Sequence, residues 1–162
     1  MIYNTLKLII KITKPFVLKM AKAYSIKVIS FPAAVGRHEL IFNGDFADVS
    51  QQVPGSCYFN TGSGKITIGE NTVFGEGVMV LTGKHLNIDE AVEDSLALHA
   101  VPENGRDVNI GCGCYIGSGA IIIGPVEIGD FSVIGAGSVV TNNIPKKTFY
   151  AGNPARMIRQ FK

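Results

Sequence analysis

The stretch from Ile110 to Thr141 reads IGCGCYIGSGAIIIGPVEIGDFSVIGAGSVVT. An isoleucine followed by glycine recurs there at Ile110-Gly111, Ile116-Gly117, Ile128-Gly129 and Ile134-Gly135, and Ile122 and Val140 keep the same phase without the glycine. The step is six residues. Working outward toward the N-terminus, Ile68-Gly69, Phe74-Gly75 and Val80 fall on the same series, so nine positions agree. Neither the 3.6-residue period of a helix nor the alternation of a half-buried strand produces this spacing. A fixed repeat of this kind marks short units that bury a face only by stacking on their neighbours.

Each hexad is read as a strand of a few residues whose aliphatic side chain points inward, with the glycine allowing a tight corner. A smaller inward residue is expected four positions later, where Thr72, Val78, Cys114, Ala120, Val126, Ser132 and Ser138 stand. Three hexads close a triangular turn of eighteen residues, and the nine hexads make three such turns of parallel strands. Composition agrees. The chain of 162 residues holds 19 glycines, and its 34 isoleucines and valines outnumber its 8 leucines, none of which lies between Val108 and Pro145. β-Branched residues favour strands, which excludes a helical bundle or a conventional α/β domain for the second half.

Thirty residues separate Val80 from Ile110, so 24 are inserted, and a multiple of six keeps the series in register. The insertion lacks aliphatic-glycine pairs, carries Asp89, Glu90, Glu93, Asp94 and Glu103, and is read as a loop over 84–109 thrown out from one corner. Long loops on a rigid scaffold commonly carry function. Residues 1–45 are expected as a basic N-terminal helix followed by an irregular lead-in. Leu6, Ile9, Ile10, Thr13, Val17 and Met20 have helical spacing, Pro15 interrupts them, and Phe31-Pro32 and Asn43-Gly44 signal turns. The coil is expected over 46–145. Residues 146–162 read as a short edge strand, a turn at Gly152-Asn153-Pro154 and a tail that together shield the end of the coil.

The net charge of +2 conceals an asymmetry, because residues 1–38 carry seven basic side chains and no acid. Such a segment offers contact to anionic lipid, nucleic acid or a phosphorylated acceptor, or forms a solvated helix face. Lysines at 7, 11, 14, 19, 22 and 27 break the apolar run of residues 1–30, which excludes a bilayer span of about 20 apolar residues. No secretory signal is visible. Cys57, Cys112 and Cys114 are too few for a disulfide framework. A cytoplasmic location is therefore expected, with residues 1–38 available for contact with the inner membrane face.

The run IGCGCYIGSGAIIIGPVEIGDFSVIGAGSVVTNNIPKKTFYAGNPARMI (110–158), together with ITIGENTVFGEGVMVLTGKH (66–85), resembles the hexapeptide-repeat acyltransferases with a left-handed parallel β-helix. Within them it is most similar to the maltose/galactoside and surface-polysaccharide O-acetyltransferases, over about residues 58–160. The handedness comes from the resemblance alone, since parallel crossovers are by default right-handed. The resemblance implies a mainly β protein, acetyl-CoA as cosubstrate, direct transfer to a sugar or glycan acceptor, and a homotrimer with each site between two coils. It implies no nucleic-acid partner and no metal.

Residue by residue, Thr82-Gly83-Lys84-His85 matches the family's Thr-Gly-x-His, which makes His85 the expected general base. An imidazole titrating near neutrality suits that work. His99, in Leu96-Ala97-Leu98-His99-Ala100, reads as a packing residue, and His38 carries no expected role. Asn60 resembles an acceptor-binding asparagine. Ser118 resembles a position whose backbone amide meets the acyl end of the cosubstrate and stabilises the oxyanion. Ala136 and Thr141 match coenzyme-contacting positions, and Arg156 and Arg159 match residues that meet its phosphates.

The pattern is not perfect. Tyr115 stands where a tryptophan is common, Asn142-Asn143 replaces a usual Lys-Asp, and the loop is unlike that of the sugar acetyltransferases. O-transfer to a glycan precursor, N-transfer to an amino-sugar nucleotide and acetylation of a xenobiotic such as an antibiotic all stay open. A zinc hydratase on the same fold needs three histidines, two of them close in sequence, and here they lie 47 and 14 residues apart. A purely structural β-helix would not account for a histidine at the loop root together with AGNPAR.

Overall fold

A computed structural model describes residues 32–44, 51–83, 92–93 and 101–162. The chain divides into the units Met1–Ser30 and Phe31–Lys162, and every described residue belongs to the second. The expected N-terminal helix and most of the 84–109 loop lie outside the described residues.

Fourteen strands form three sheets. The first holds β1 (Ala33–Gly36), β3 (Tyr58–Thr61), β6 (Met79–Leu81), β9 (Ile121–Ile123) and β12 (Val139–Val140). The second holds β2 (Leu40–Phe42), β4 (Ile66–Ile68), β7 (Val108–Ile110) and β10 (Val126–Ile128). The third holds β5 (Val73–Phe74), β8 (Tyr115–Ile116), β11 (Val133–Ile134), β13 (Thr148–Ala151) and β14 (Arg156–Gln160). From β3 to β12 the chain visits the sheets in rotation, so each of these strands lies parallel to the one a full turn away. Ile110 sits on Ile128, Ile116 on Ile134 and Ile122 on Val140, which is the eighteen-residue turn that the hexads require.

All nine positions of the six-residue series are buried, as are all seven of the smaller inward positions. Inside a triangular turn β4, β7 and β10 each bury two branched side chains while β6, β8, β9, β11 and β12 each bury one, and full burial of each is worth about 1.5–3 kcal/mol. The smaller inward positions include hydroxyls that tie one turn to the next. Thr72 Oγ1 donates to Gly111 O at 2.6 Å and accepts from Cys114 N at 3.0 Å, and Ser132 Oγ donates to Pro145 O at 2.8 Å. These bonds remove the cost of burying polar atoms. Toward the N-terminal end the filling changes to phenylalanine, with Phe59 edge-on to both Phe42 and Phe74 at 5.8 Å between ring centres.

The coil starts earlier than expected. Residues 33–42, which were read as irregular lead-in, supply β1 and β2, which pair in parallel with β3 and β4 and add a further partial turn. The six-residue series misses them because Phe59 pairs with Val80 and Phe42 with Ile68, offsets of 21 and 26 residues rather than 18. The corner after β3 carries extra residues, so the numerical phase is lost while the hydrogen-bond ladder continues.

The C-terminal segment closes the other end. Val139 N donates to Gly152 O at 2.9 Å and Ala155 N to Val139 O at 2.8 Å, covering the free edge of β12. Ile144 bridges to Ile128, and β14 folds antiparallel onto β13. Open strand edges invite pairing with other chains, and this segment covers those of β12 and β13. Among the described residues no helix is long and apolar enough to cross a membrane.

Two neighbouring glycines separate the two demands of a corner. A Cβ on Gly117 would lie 2.5 Å from Ala136 N, in the backbone of the next turn, whereas a Cβ on Gly119 meets nothing within 4 Å but must adopt a φ of +68°. Gly119→Ala should cost about 1 kcal/mol of stability, from left-handed backbone strain alone. Gly117→Ala should cost about 3 kcal/mol or more, because backbone cannot yield as a side chain can. Urea unfolding of both variants checks the order.

Candidate active site

Two corners of the coil hold the described candidate residues. The first is where the first sheet hands over to the second. Successive turns stack there as Gly36 to His38, Thr61 to Ser63, Thr82-Gly83, Gly124-Pro125 and Thr141 to Asn143. Asn60 projects outward from β3 and is half-buried, and its Oδ1 accepts from Gly62 N at 2.8 Å, which fixes the side chain against its own turn. Thr82 holds this corner together. It is fully buried, its Oγ1 donates to Asn60 O at 2.9 Å and accepts from Ser63 N at 3.0 Å, and its own N–H reaches Asn60 O at 3.0 Å. The threonine at the head of Thr-Gly-x-His is thus a fastening between the loop root and the strand that carries Asn60.

The insertion returns to the coil at the same corner. A methyl group at Gly83 would touch Val101 Cγ1 at 3.5 Å and Ser63 Oγ at 3.7 Å, so the two ends of the insertion meet. Arg106 N donates to Ser63 O at 3.1 Å. Between these points the stem reaches the first turn, where Glu103 Oε1 accepts from Arg37 Nη1 at 3.1 Å and Glu103 O lies 2.8 Å from His38 Nε2. His38 therefore belongs to this corner. The sequence carried no signal for it, because the first turn had dropped out of the six-residue series.

The second corner lies where the third sheet hands over to the first. Ser118 and Ala136 stack on successive turns, both exposed, joined by a 2.9 Å bond from Gly137 N to Ser118 O. Among the described residues, neither the Ser118 nor the Ala136 amide takes part in the bonds between turns, and their nitrogens lie against Gly75 and Gly117 of the preceding turns. Arg156 pairs with Ala151, which packs against Gly135 below this corner, while Arg159 lies over the Phe161 ring at 4.9 Å. Tyr115 is exposed on the third sheet.

Thr141 stands apart from Ser118 and Ala136. It is exposed at the first corner, on the far edge of the first sheet, and its Oγ1 accepts from Asn142 Nδ2 at 3.2 Å. His85 and His99 lie outside the described residues. A shallow groove of about 540 Å³ runs along the second sheet past Asn109, Glu127, Asn143 and Lys146, and it includes none of the candidate residues. Among the described residues no group of three His, Cys, Asp or Glu is placed to hold a metal ion.

Comparison with known proteins agrees with this architecture. A family profile described as bacterial transferase hexapeptide (six repeats) matches residues 107–142. Galactoside O-acetyltransferase of Escherichia coli K12 is 33% identical over 151 residues, covering 81% of this chain and 72% of the relative. An acetyltransferase homologue from Schizosaccharomyces pombe is 40% identical over 97 residues, and this chain spans 44% of its length. A hexapeptide-repeat acetyltransferase from Vibrio cholerae, solved with acetyl coenzyme A, superposes with a TM-score of 0.53 at 21% identity, over 88% of this chain and 78% of the other.

Thr82→Val keeps the shape but removes both hydroxyl bonds and leaves the buried Ser63 N–H without its acceptor. The variant should lose about 1–3 kcal/mol of stability. Thermal unfolding measures this, and exchange of the Ser63 amide proton should accelerate with it.

Proposed function

This chain belongs to the hexapeptide-repeat acetyltransferases, acetyl-CoA-dependent enzymes built on a left-handed parallel β-helix, and on that premise we propose that it acetylates a hydroxyl of a sugar or glycan precursor. His85 is the general base in this reading. The observation that carries it is the Thr82 fastening, which joins Asn60 to the root of the loop. His85 follows Gly83 by two residues in the sequence, and the proposal assigns the base and Asn60 to the same acceptor.

In the reaction, the His85 imidazole takes the proton of the acceptor hydroxyl as that oxygen attacks the thioester carbonyl carbon. The new C–O bond forms, the C–S bond breaks, and the imidazolium returns its proton to the departing thiolate. No acyl-enzyme is needed. The Ser118 amide is assigned to the oxyanion that develops on the carbonyl oxygen, and such a donor is worth about 2.7–4 kcal/mol in the transition state. Ala136 offers a small side chain to the pantetheine arm beside Ser118, Thr141 on the opposite edge meets the coenzyme only from the neighbouring coil, and Arg156 and Arg159 suit the coenzyme phosphates.

Ser118 and the loop root lie on opposite edges of the first sheet, about 15 Å apart by strand rise. One coil alone separates the acyl end from the base, and a second coil set edge to edge would close the gap. The outward face between these edges is apolar, with Met79, Leu81, Ile121, Ile123 and Val139 half-buried along it. This favours a homotrimer with each site shared by two subunits. The positive charge of residues 1–38 favours an acceptor that is anionic or held at an anionic membrane.

Release of free coenzyme A against a panel of sugars, amino-sugar nucleotides and antibiotics tests the reading. Turnover should appear with hydroxyl acceptors, and turnover confined to amines would replace O-transfer by N-transfer. His85→Ala should lower the rate about 10²–10⁴-fold with the β-sheet circular dichroism unchanged, and retained turnover would remove His85 from the mechanism. Ile121→Glu should give an inactive monomer in analytical ultracentrifugation if the apolar face joins the subunits.

A further inference from the structure

We infer that Arg37 and His38 are positioning residues for the acceptor: they fasten the 101–106 stem of the insertion beside Asn60 and so set the affinity for the acceptor. The inference rests on the assignment of Asn60 and the loop root to the acceptor side.

Two adjacent residues of the first turn hold one residue of the stem. Arg37 grips the Glu103 carboxylate at 3.1 Å, the one ion pair among the described residues, and His38 Nε2 lies 2.8 Å from the Glu103 carbonyl oxygen. A carbonyl can only accept, so Nε2 carries the hydrogen and Nδ1 of the neutral ring is left as an acceptor. The donors stand on fixed backbone. His38 N–H reaches Thr61 O at 3.2 Å, and Gly36, at φ +146°, lies so close to Thr61 that a Cβ would fall 2.4 Å from its carbonyl carbon. No residue larger than glycine lets this corner settle onto the turn that follows Asn60.

The magnitudes point to positioning rather than to stability. The Arg37 and Glu103 side chains are 61% and 73% exposed, so their attraction is screened and small. The coil is held by its buried aliphatic column and the ladder between turns, neither of which uses the side chains of these residues. Val101 against Gly83 and Arg106 N–H on Ser63 O hold the two ends of the stem; among the described residues, the side-chain contacts that hold Glu103 between them come from Arg37 and His38. Their loss leaves the coil intact and frees the middle of the stem.

The test measures steady-state kinetics with the best acceptor of the panel, alongside hydrogen exchange of the amides of residues 101–106. Arg37→Ala and Glu103→Gln should each raise the acceptor KM about two- to fivefold, and sodium chloride should raise the wild-type KM toward the same value. His38→Ala should raise it about two- to tenfold. His38→Gln, which keeps a donor at a similar reach, should recover most of the loss. In all of them kcat at saturation and the KM for acetyl-CoA stay unchanged, while exchange in the stem accelerates. An unchanged acceptor KM in the Arg37→Ala/His38→Ala double variant, or a fall of kcat by orders of magnitude in His38→Gln, overturns the inference. A wild-type protein that turns over no acceptor defeats the proposed function instead, and the exchange rates still report whether Arg37 and His38 hold the stem.

Discussion

Each turn of this coil must rest on the next at the spacing of a parallel sheet, about 4.8 Å, around a narrow interior that takes one or two side chains from most strands. That requirement governs the rest of the molecule. It places Ile110, Ile128 and the other aliphatic residues of the series in vertical columns, and it denies a side chain to Gly111 and Gly117, whose Cβ atoms would meet the backbone of the following turn at 2.7 Å and 2.5 Å. It also turns the inner hydroxyls of Thr72 and Ser132 into ties between turns. A stack of identical turns has open ends, and the C-terminal hairpin with the 152–155 segment is the answer at one of them.

Such a scaffold leaves little of its interior for chemistry. The inside is filled, the strands are two to five residues long, and what remains are corners and the insertion that starts from one of them. The two corners that carry the described candidate residues flank a single apolar face. The Asn60 corner is rich in side-chain bonds to backbone, whereas the Ser118 corner presents small exposed residues on successive turns. A binding surface made from the first suits a polyhydroxyl molecule, and one made from the second suits an extended chain that lies along the stack.

The regular part of the fold is written in the residues because a six-residue period leaves few architectures to choose from. Ile68 through Val140 and the smaller positions four residues later all occupy the interior as their spacing demands. The first turn was not legible, since the longer corner at Thr61 to Lys65 shifts Phe59 off the series by three residues and further residues before β3 shift Phe42 by eight, even though their strands keep their partners. Period is a property of sequence, and pairing is a property of backbone geometry that tolerates a corner of different length. The same slip concealed His38, which has no periodic neighbour to announce it. Asn60 enters as a candidate only by likeness to relatives, and the spacing alone does not distinguish it from any outward polar residue.

Thr82 belongs to both the scaffold and the candidate site, and this has a consequence for how acceptor choice can change. Its hydroxyl is buried in the corner and bonded to Asn60 O and Ser63 N, so Asn60 is held by the coil. The middle of the stem, by contrast, is held at Glu103 by an ion pair at the exposed surface, worth about 1 kcal/mol or less. Substitutions within the insertion can therefore reshape the wall that an acceptor meets without moving Asn60 or disturbing the turns beneath. If Asn60 orients the acceptor as proposed, that polar group is tied to stability, while the surface of the insertion is free to vary.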